Sequence, residues 1–350
     1  MRPAARRAAR RPAIDHVTLL LIVVILLAVA FDFSNGFHDT ANAIATSVAT
    51  RALRPQYALL MATAFNFIGA FAGTAVAKTI GAGLVDEKTT TQVIVASALV
   101  GAIAWNLITW WLGLPSSSSH ALIGGLLGAT MIAVGAGAVK WEGVWAKVIV
   151  PLISSPILGF TGAFVLMLAL TWIFRNTARK PLGRVFKRLQ VLSAGYMAFA
   201  HGSNDAQKTM GIVTLALFSA GVIGTTDVPT WVIVLAATSI SLGTATGGWR
   251  IMHTLGHRVA QLEPINGFAA ETTAATVIMG AAQAGMPVST THVISSAIMG
   301  VGASKGTRGV RWGVARQILI AWVLTLPAAG AIGALAWVVL SALATTLGLT

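Results

Sequence analysis

Phe33-Ser34-Asn35-Gly36-Phe37-His38-Asp39-Thr40-Ala41-Asn42 lies inside a long apolar stretch, and Phe199-Ala200-His201-Gly202-Ser203-Asn204-Asp205-Ala206-Gln207-Lys208 answers it in the second half. A second pair follows each copy: Pro115-Ser116-Ser117-Ser118-Ser119-His120 and Pro287-Val288-Ser289-Thr290-Thr291-His292. Asp39 maps onto Asp205 with an offset of 166, and His120 onto His292 with 172. Two motifs kept in order and nearly in register mark a duplicated unit. Ionisable side chains at membrane depth are costly, so they mark function by default. Similar halves with matching interruptions point to the binding site of a secondary transporter.

Around these motifs the chain is 56% hydrophobic and 10% charged over 350 residues, with a mean hydropathy of +0.79. A soluble domain is about half apolar and about a quarter charged. This composition belongs to a polytopic membrane protein. Each span needs roughly 20 apolar residues, and the apolar regions between Val17 and Leu347 predict roughly ten to twelve helical segments. The fold is expected to be all-α, because lipid leaves the backbone no other open way to satisfy its polar groups. The net charge of +14 sits mainly in the N-terminal tail and short loops. That is the positive-inside tendency rather than a nucleic-acid surface, so lipid and not nucleic acid is the expected partner. Zero cysteines exclude disulfides, thiolate metal sites and cysteine nucleophiles. Five arginines precede Asp15 in the manner of a signal segment. The apolar stretch nevertheless runs straight into the first motif, so this start is read as retained.

Four parts follow: a basic tail over 1–16, a first repeat over 17–174, a linker over 175–190 and a second repeat over 191–350. Arg175–Gln190 carries six basic residues and no acid, which places it in the cytoplasm. Equivalent loops differ in charge. Arg51 and Arg54 follow the first motif helix, whereas Ala220–Thr230 has no Lys or Arg. Opposite bias at equivalent places means opposite faces, hence two inverted-topology repeats. By this logic Val17–Ala49 is a single crossing that starts outside, against the pull of its arginine tail.

Gly36 and Gly202, just before each Asp, are expected to break their helices. Exposed N–H groups at one half-helix start would then attract an anion, and C=O groups at the other would attract a cation. Asn35, Asp39 and Asn42 recur at helical spacing and share one face; Asn204, Asp205 and Lys208 form the second set. Ser117, Ser118 and Ser119, mirrored by Ser289, Thr290 and Thr291, follow a proline that suits a re-entrant hairpin tip or a first helical turn. Hydroxyls with free N–H groups at a helix N-terminus make an anion cradle, although a serine there also serves simply as an N-cap. Glu271 is a further acid in an apolar helix and a candidate proton or cation site. His120 and His292 stand open between packing and proton carriage. Asp32 lies within the first span but outside the matched positions. Glu263, beside Pro264, reads as a loop residue.

These residues resemble the inorganic phosphate transporter (PiT) family, in particular its bacterial low-affinity branch. The match runs through Asn35–Ala43, Trp105-Asn106-Leu107 with Gly113–His120, Gly202–Lys208, Leu242-Gly243-Thr244 with Gly247–Arg250, and Gly267–Glu271. It implies phosphate uptake driven by a cation gradient, an inverted-repeat fold in the plasma membrane, a homodimer and an elevator-like motion. It assigns phosphate contacts to Ser117, Ser118, Ser119, Ser289, Thr290, Thr291, Asn35 and Asn204. The resemblance carries cation contacts over to Asp39, Asn42 and Asp205, and this chain's own Lys208, Glu271 and His38 are read with them as the cation- and proton-coupling set. Sodium-coupled members of the family read Asn-Asp in both motifs, with Asn three residues after the second Asp and Glu where this chain has Asn66. Here His38 precedes Asp39 and Lys208 follows Asp205 by one turn, a spacing at which an ammonium pairs with a carboxylate. Lys208 would then stand in for a cation, and the coupling ion would be the proton, with His38 or Glu271 in its path. No cofactor is implied beyond the co-transported H+ or Na+, although a divalent metal carried with phosphate fits the bacterial relatives.

The same family admits sulfate permeases. Phosphate donates a hydrogen bond near neutral pH and sulfate does not, so Asp39 and Asp205 favour phosphate. Ser119, His120 and Asp39 supply the residue types of a hydrolase triad. No Gly-x-Ser-x-Gly elbow surrounds the serines, and duplication gives a hydrolase nothing. The chain is read as a carrier and not an enzyme.

Overall fold

A computed structural model describes residues 16–347, so the expected arginine-rich tail over 1–16 falls, but for its last residue, outside the described residues. The first half supplies α1 (His16–Ala49), α2 (Pro55–Gly69), α3 (Ala75–Ala82), α4 (Gln92–Leu112), α5 (Ser118–Ala133) and α6 (Trp141–Ile173, with a π-helical turn at Trp145–Ile149). The second half supplies α7 (Arg179–Ser219), α8 (Thr230–Thr246), α9 (Trp249–Arg258), α10 (Pro264–Gln283), α11 (Thr290–Ala303) and α12 (Trp312–Thr346). These twelve segments pair off in order across the two halves. Even the connections match: the isolated bridges Val85–Val139 and Ala260–Val310 close equivalent loops. Among the described residues four helices, α1, α4, α6 and α12, are long and apolar enough to cross a membrane alone.

The two halves are inverted. Along the α1–α7 interface Thr50 donates to Gln190 and Asp39 lies beside Asp205. Rising numbers on α1 meet falling numbers on α7, so the helices run antiparallel. The halves are also interlocked. α1 packs on α8 while α7 packs on α2, and the α4–α5 hairpin is covered by α12 while α10–α11 is covered by α6.

Two apolar clusters divide the interior. One holds Val24, Ala28 and Phe31 of α1 with Met210, Ile212 and Leu215 of α7. The other holds Ala43, Ile44 and Ala45 of α1 with Met197, Ala198 and Ala200 of α7. Each motif helix therefore leaves one cluster, passes a polar layer and enters the other. That layer is the motif pair.

Neither motif helix is broken, contrary to the sequence expectation. α1 runs unbroken for 34 residues and α7 for 41, about 50 and 60 Å of helix. The glycines serve close packing instead. A Cβ on Gly36 would stand 2.3 Å from the Ile240 carbonyl oxygen, and one on Gly202 2.2 Å from that of Asn66. The bend occurs elsewhere, at 62° between α8 and α9. There Gly247 adopts φ +76°, which a side chain resists. The hairpin turns between α4 and α5 and between α10 and α11 are the other interruptions. The linker is not a loop throughout, since residues 179–190 form the opening turns of α7, and Glu263 is the N-cap of α10 in a capping box with Asn266. At the surface, Lys140 Nζ donates to Glu87 Oε2 at 2.6 Å, and this bond holds the Glu87 carboxyl below its ordinary range.

Candidate functional site

Four helix segments bring the motifs together in the polar layer: α1, α7, and the N-termini of α5 and α11. Ser117 caps α5 by accepting from the His120 amide at 3.1 Å, and Ser289 caps α11 by accepting from the His292 amide at 3.2 Å. Each side chain satisfies one amide of its own helix start. The other first-turn amides of both helices still lack intrahelical acceptors, so two positive helix ends meet at one place. Ser119 Oγ donates across to the Val288 carbonyl at 3.1 Å, tying one hairpin tip to the other. His120 and His292 lie at the same seam, ring centroids 4.9 Å apart, with Trp322 stacked on His292.

The first carboxylate is held by neighbours of no fixed charge. Asp39 Oδ1 lies 2.6 Å from His38 Nδ1 and accepts from Thr291 Oγ1 at 3.3 Å. His38 Nε2 reaches Thr109 Oγ1 at 3.1 Å, and Ser116 Oγ donates to that hydroxyl at 2.8 Å. Asn42 Nδ2 donates to Thr291 Oγ1 at 2.8 Å and to Thr290 Oγ1 at 3.3 Å.

The second carboxylate is ion-paired. Lys208 Nζ donates to Asp205 Oδ1 at 2.6 Å, with both side chains fully buried. His201 Nε2 lies 3.4 Å from Asp205 Oδ2, and its Nδ1 lies 3.0 Å from Asn66 Oδ1. Asn66 in turn donates to Thr244 at 2.8 Å. Thr290 Oγ1 donates weakly to Asp205 Oδ2 at 3.5 Å. Asp39, His201 and Asp205 each place one ligand atom within 4.8 Å of the others, near enough to share one small cation, although Lys208 already brings a positive charge to Asp205.

Among the described residues, several buried polar atoms of the motif segments have no hydrogen-bond partner: both amide atoms of Asn35, Oδ1 of Asn42, Oδ1 of Asn204 and Oγ of Ser118. Buried polar groups are normally satisfied, so these atoms retain hydrogen-bonding capacity that the protein itself does not use. His38, Asp39, Asn42, Asp205, Lys208, Ser117, Ser119, Ser289, Thr290 and Thr291 gather here through the contacts above, with Ser118 and Asn35 buried on the same segments and Asn204 donating to the Met286 carbonyl at 3.4 Å. Glu271 does not join them. It is fully buried, accepting from Thr46, Ser193 and, at 3.4 Å, Gln190 near the far end of α1. The sequence reading assigned no site role to His201, Thr109 or Thr244; Ser116 stood in the hydroxyl run, and Asn66 was noted only where it departs from the sodium-coupled pattern. His201 was legible, standing four residues before Asp205 on the same helical face; the others touch the site only through tertiary contact.

The interlocked inverted halves and the enclosed polar centre define a membrane transporter. The chain belongs to the phosphate transporter family, whose model matches residues 35–183 and 174–333. It is 47% identical over 330 residues to a protein of Bacillus subtilis (strain 168) described as "Probable low-affinity inorganic phosphate transporter", covering 93% of this chain and 99% of that one. A protein of Rhizobium meliloti (strain 1021) with the same description is 48% identical over 320 residues, covering 91% and 96%. Among solved structures, one described as "The sodium-dependent phosphate transporter" superposes with a TM-score of 0.85 at 27% identity, covering 93% of this chain and 99% of that one. The chain is therefore a multi-pass protein of the plasma membrane and not an enzyme.

Proposed function

We propose that this protein imports inorganic phosphate by symport with protons rather than sodium. Phosphate would lie between the N-termini of α5 and α11, contacting Ser117, Ser118, Ser119, Ser289, Thr290 and Thr291, with Asn35 and Asn204 completing the shell. Its protonated oxygen would donate to Asp39 or Asp205, a contact sulfate cannot make. The observation that carries the choice of ion is the Lys208–Asp205 pair at 2.6 Å. A fixed ammonium occupies the charge space in which a sodium ion would neutralise Asp205. Asp39, Asn42, His38 and Glu271 would then serve the proton, and a divalent metal would travel only as cargo with phosphate. The working unit is a homodimer in which the hairpin-bearing part of each protomer moves across the bilayer. Sodium symport is the second reading, favoured by the likeness to a solved transporter described as sodium-dependent.

Purified protein in proteoliposomes separates the two. An inward proton gradient without sodium is expected to drive accumulation of radiolabelled phosphate, with collapse on adding a protonophore and little competition from excess sulfate. Strict sodium dependence would refute proton coupling.

A further inference from the structure

The turn leading into the first hydroxyl run borders a cavity of about 370 Å³ lined by Gly113, Leu114, Thr254, Arg258, Arg311 and Gln317, among others. This cavity lies at the end of the molecule that bears the linker over 175–190. A Cβ on Gly256 of α9 would stand 2.8 Å from the Ala45 carbonyl oxygen near the last turn of α1, and Thr50, just past that helix, donates to Gln190. Thr254 Oγ1 donates to the Gly113 carbonyl at 3.0 Å and fixes α9 against the turn. Trp322 Nε1 donates to the Pro115 carbonyl at 3.1 Å and fixes α12 there as well. The cavity is therefore a mouth beside Ser116–Ser119.

Its charge is unbalanced. Arg311 Nη1 donates to the His257 carbonyl at 3.1 Å, a neutral acceptor. The side chains of Arg258 and Gln317 are exposed and make no hydrogen bond or ion pair among the described residues. Arg250, two turns before Arg258, is already engaged: it stacks on Trp110 and Trp111 and donates to the Trp111 carbonyl at 2.7 Å. Glu263, the acid nearest to Arg258 in the sequence, caps α10 instead.

The inverted repeat supplies an internal control. Thr79 Oγ1 donates to the Gly285 carbonyl at 2.7 Å as Thr254 does to Gly113. The Lys140 amide donates to the Leu84 carbonyl at 2.9 Å, as the Arg311 amide does to Val259 at 3.0 Å. The Trp141 indole donates to Ala136 as that of Trp312 does to Thr307. The same frame thus stands at the opposite end of the molecule. There Gly83 takes the place of Arg258 and Ala146 that of Gln317, while Lys140, in the place of Arg311, is paired with Glu87 at 2.6 Å. The frame folds without free cations, so the arginines are not there to build it.

A guanidinium binds a phosphate group through paired N–H donors, and a cleft lined by one sign of charge concentrates oxyanions. We infer that this cavity is a second phosphate-group site, apart from the central one, which takes inorganic phosphate or the headgroup phosphate of an anionic lipid through Arg258 and Arg311. Basic pockets between helices at a cytoplasmic face hold such headgroups. The site goes beyond the transport reading and is independent of the coupling ion.

The test uses the full chain in nanodiscs, wild type beside Arg258→Gln/Arg311→Gln and beside Lys140→Gln, which removes the cation of the mirror frame. Nanodiscs of phosphatidylcholine alone are titrated with radiolabelled inorganic phosphate. Nanodiscs of phosphatidylcholine mixed with phosphatidylglycerol are examined by native mass spectrometry for phosphatidylglycerol retained on the protein. If the ion is the ligand, wild type and Lys140→Gln bind labelled phosphate in two classes, and one class weakens by at least about tenfold in the double variant, the equivalent of one charge-assisted hydrogen bond. If the lipid is the ligand, phosphate binding is alike in all three proteins, and retained phosphatidylglycerol falls in the double variant alone. A double variant that matches wild type in both arms overturns the site, as does an equal loss in Lys140→Gln. Should the double variant not fold, Arg258→Gln is read in the same way, since its side chain is exposed and has no partner to lose.

Discussion

The two aspartates occupy matched places in inverted halves, yet their surroundings differ. Asp39 is held by an imidazole and a hydroxyl, whereas Asp205 is held by a buried ammonium at 2.6 Å. Duplication therefore keeps the scaffold and lets the charges diverge. One half has a carboxylate whose partners are free of fixed charge, and the other carries its counter-ion in the sequence. A solute bound between them meets one adjustable side and one fixed side.

The largest effect should come from breaking the fixed side. Asp205→Ala leaves Lys208 buried without its partner, a loss of about 3–5 kcal/mol, and a second change, Lys208→Met, should recover most of the thermal stability. Asp39→Asn should leave the melting temperature nearly unchanged while lowering phosphate uptake by about 10- to 100-fold, the equivalent of ~1.5–3 kcal/mol of charge-assisted hydrogen bonding. Equal melting losses at the two positions would erase the contrast.

Lys208→Asn sharpens the same comparison, because it removes the internal cation and leaves Asp205 ionisable. Uptake by this variant should acquire a sodium stimulation that the wild type lacks. Sodium-indifferent uptake in Lys208→Asn would show that the ammonium is structural only.

Gly36→Ala and Gly202→Ala test whether the motif helices are packed or hinged. Each added methyl meets a backbone carbonyl of α8 or α2 at under 2.5 Å, so a destabilisation of about 1–3 kcal/mol is expected. A hinge would give the opposite sign, since alanine favours helix over glycine by roughly 0.5–1 kcal/mol. Melting curves in detergent decide between them.

The smallest effect lies at the surface. Glu87→Gln should cost ~0.2–1 kcal/mol, as exposed pairs do. The Glu87 carboxyl sits below its ordinary range because of Lys140. Its contribution is therefore present above the unfolded carboxylate value and fades as pH falls through the lowered folded one. The stability difference between wild type and Glu87→Gln should close at low pH.

Much of the site could be read before any coordinates. Asp39, Asn42, Asp205, Lys208 and the two hydroxyl runs stood out because polar residues in apolar stretches are costly and were repeated. Glycine misled: beside a polar motif Gly36 and Gly202 look like helix breakers, and only the neighbouring backbone reveals that they permit close approach. Glu271 stood out in the sequence as an acid in an apolar helix, but only the fold shows that its partners are Thr46, Ser193 and Gln190. The Asn66–His201 and Thr109–His38 contacts join residues 135 and 71 positions apart, beyond any local pattern.

The sequence by itself determined an all-helical membrane chain, its duplication, its opposed halves and its chemistry-bearing side chains, because hydrophobic length, charge bias and repetition are properties of linear order. Only the tertiary structure decided which polar atoms satisfy one another and which stay unspent. That depends on how antiparallel helices approach, so the turn-spaced Asp205–Lys208 pair was legible in the chain, whereas the meeting of Asn42 with Thr291 was not.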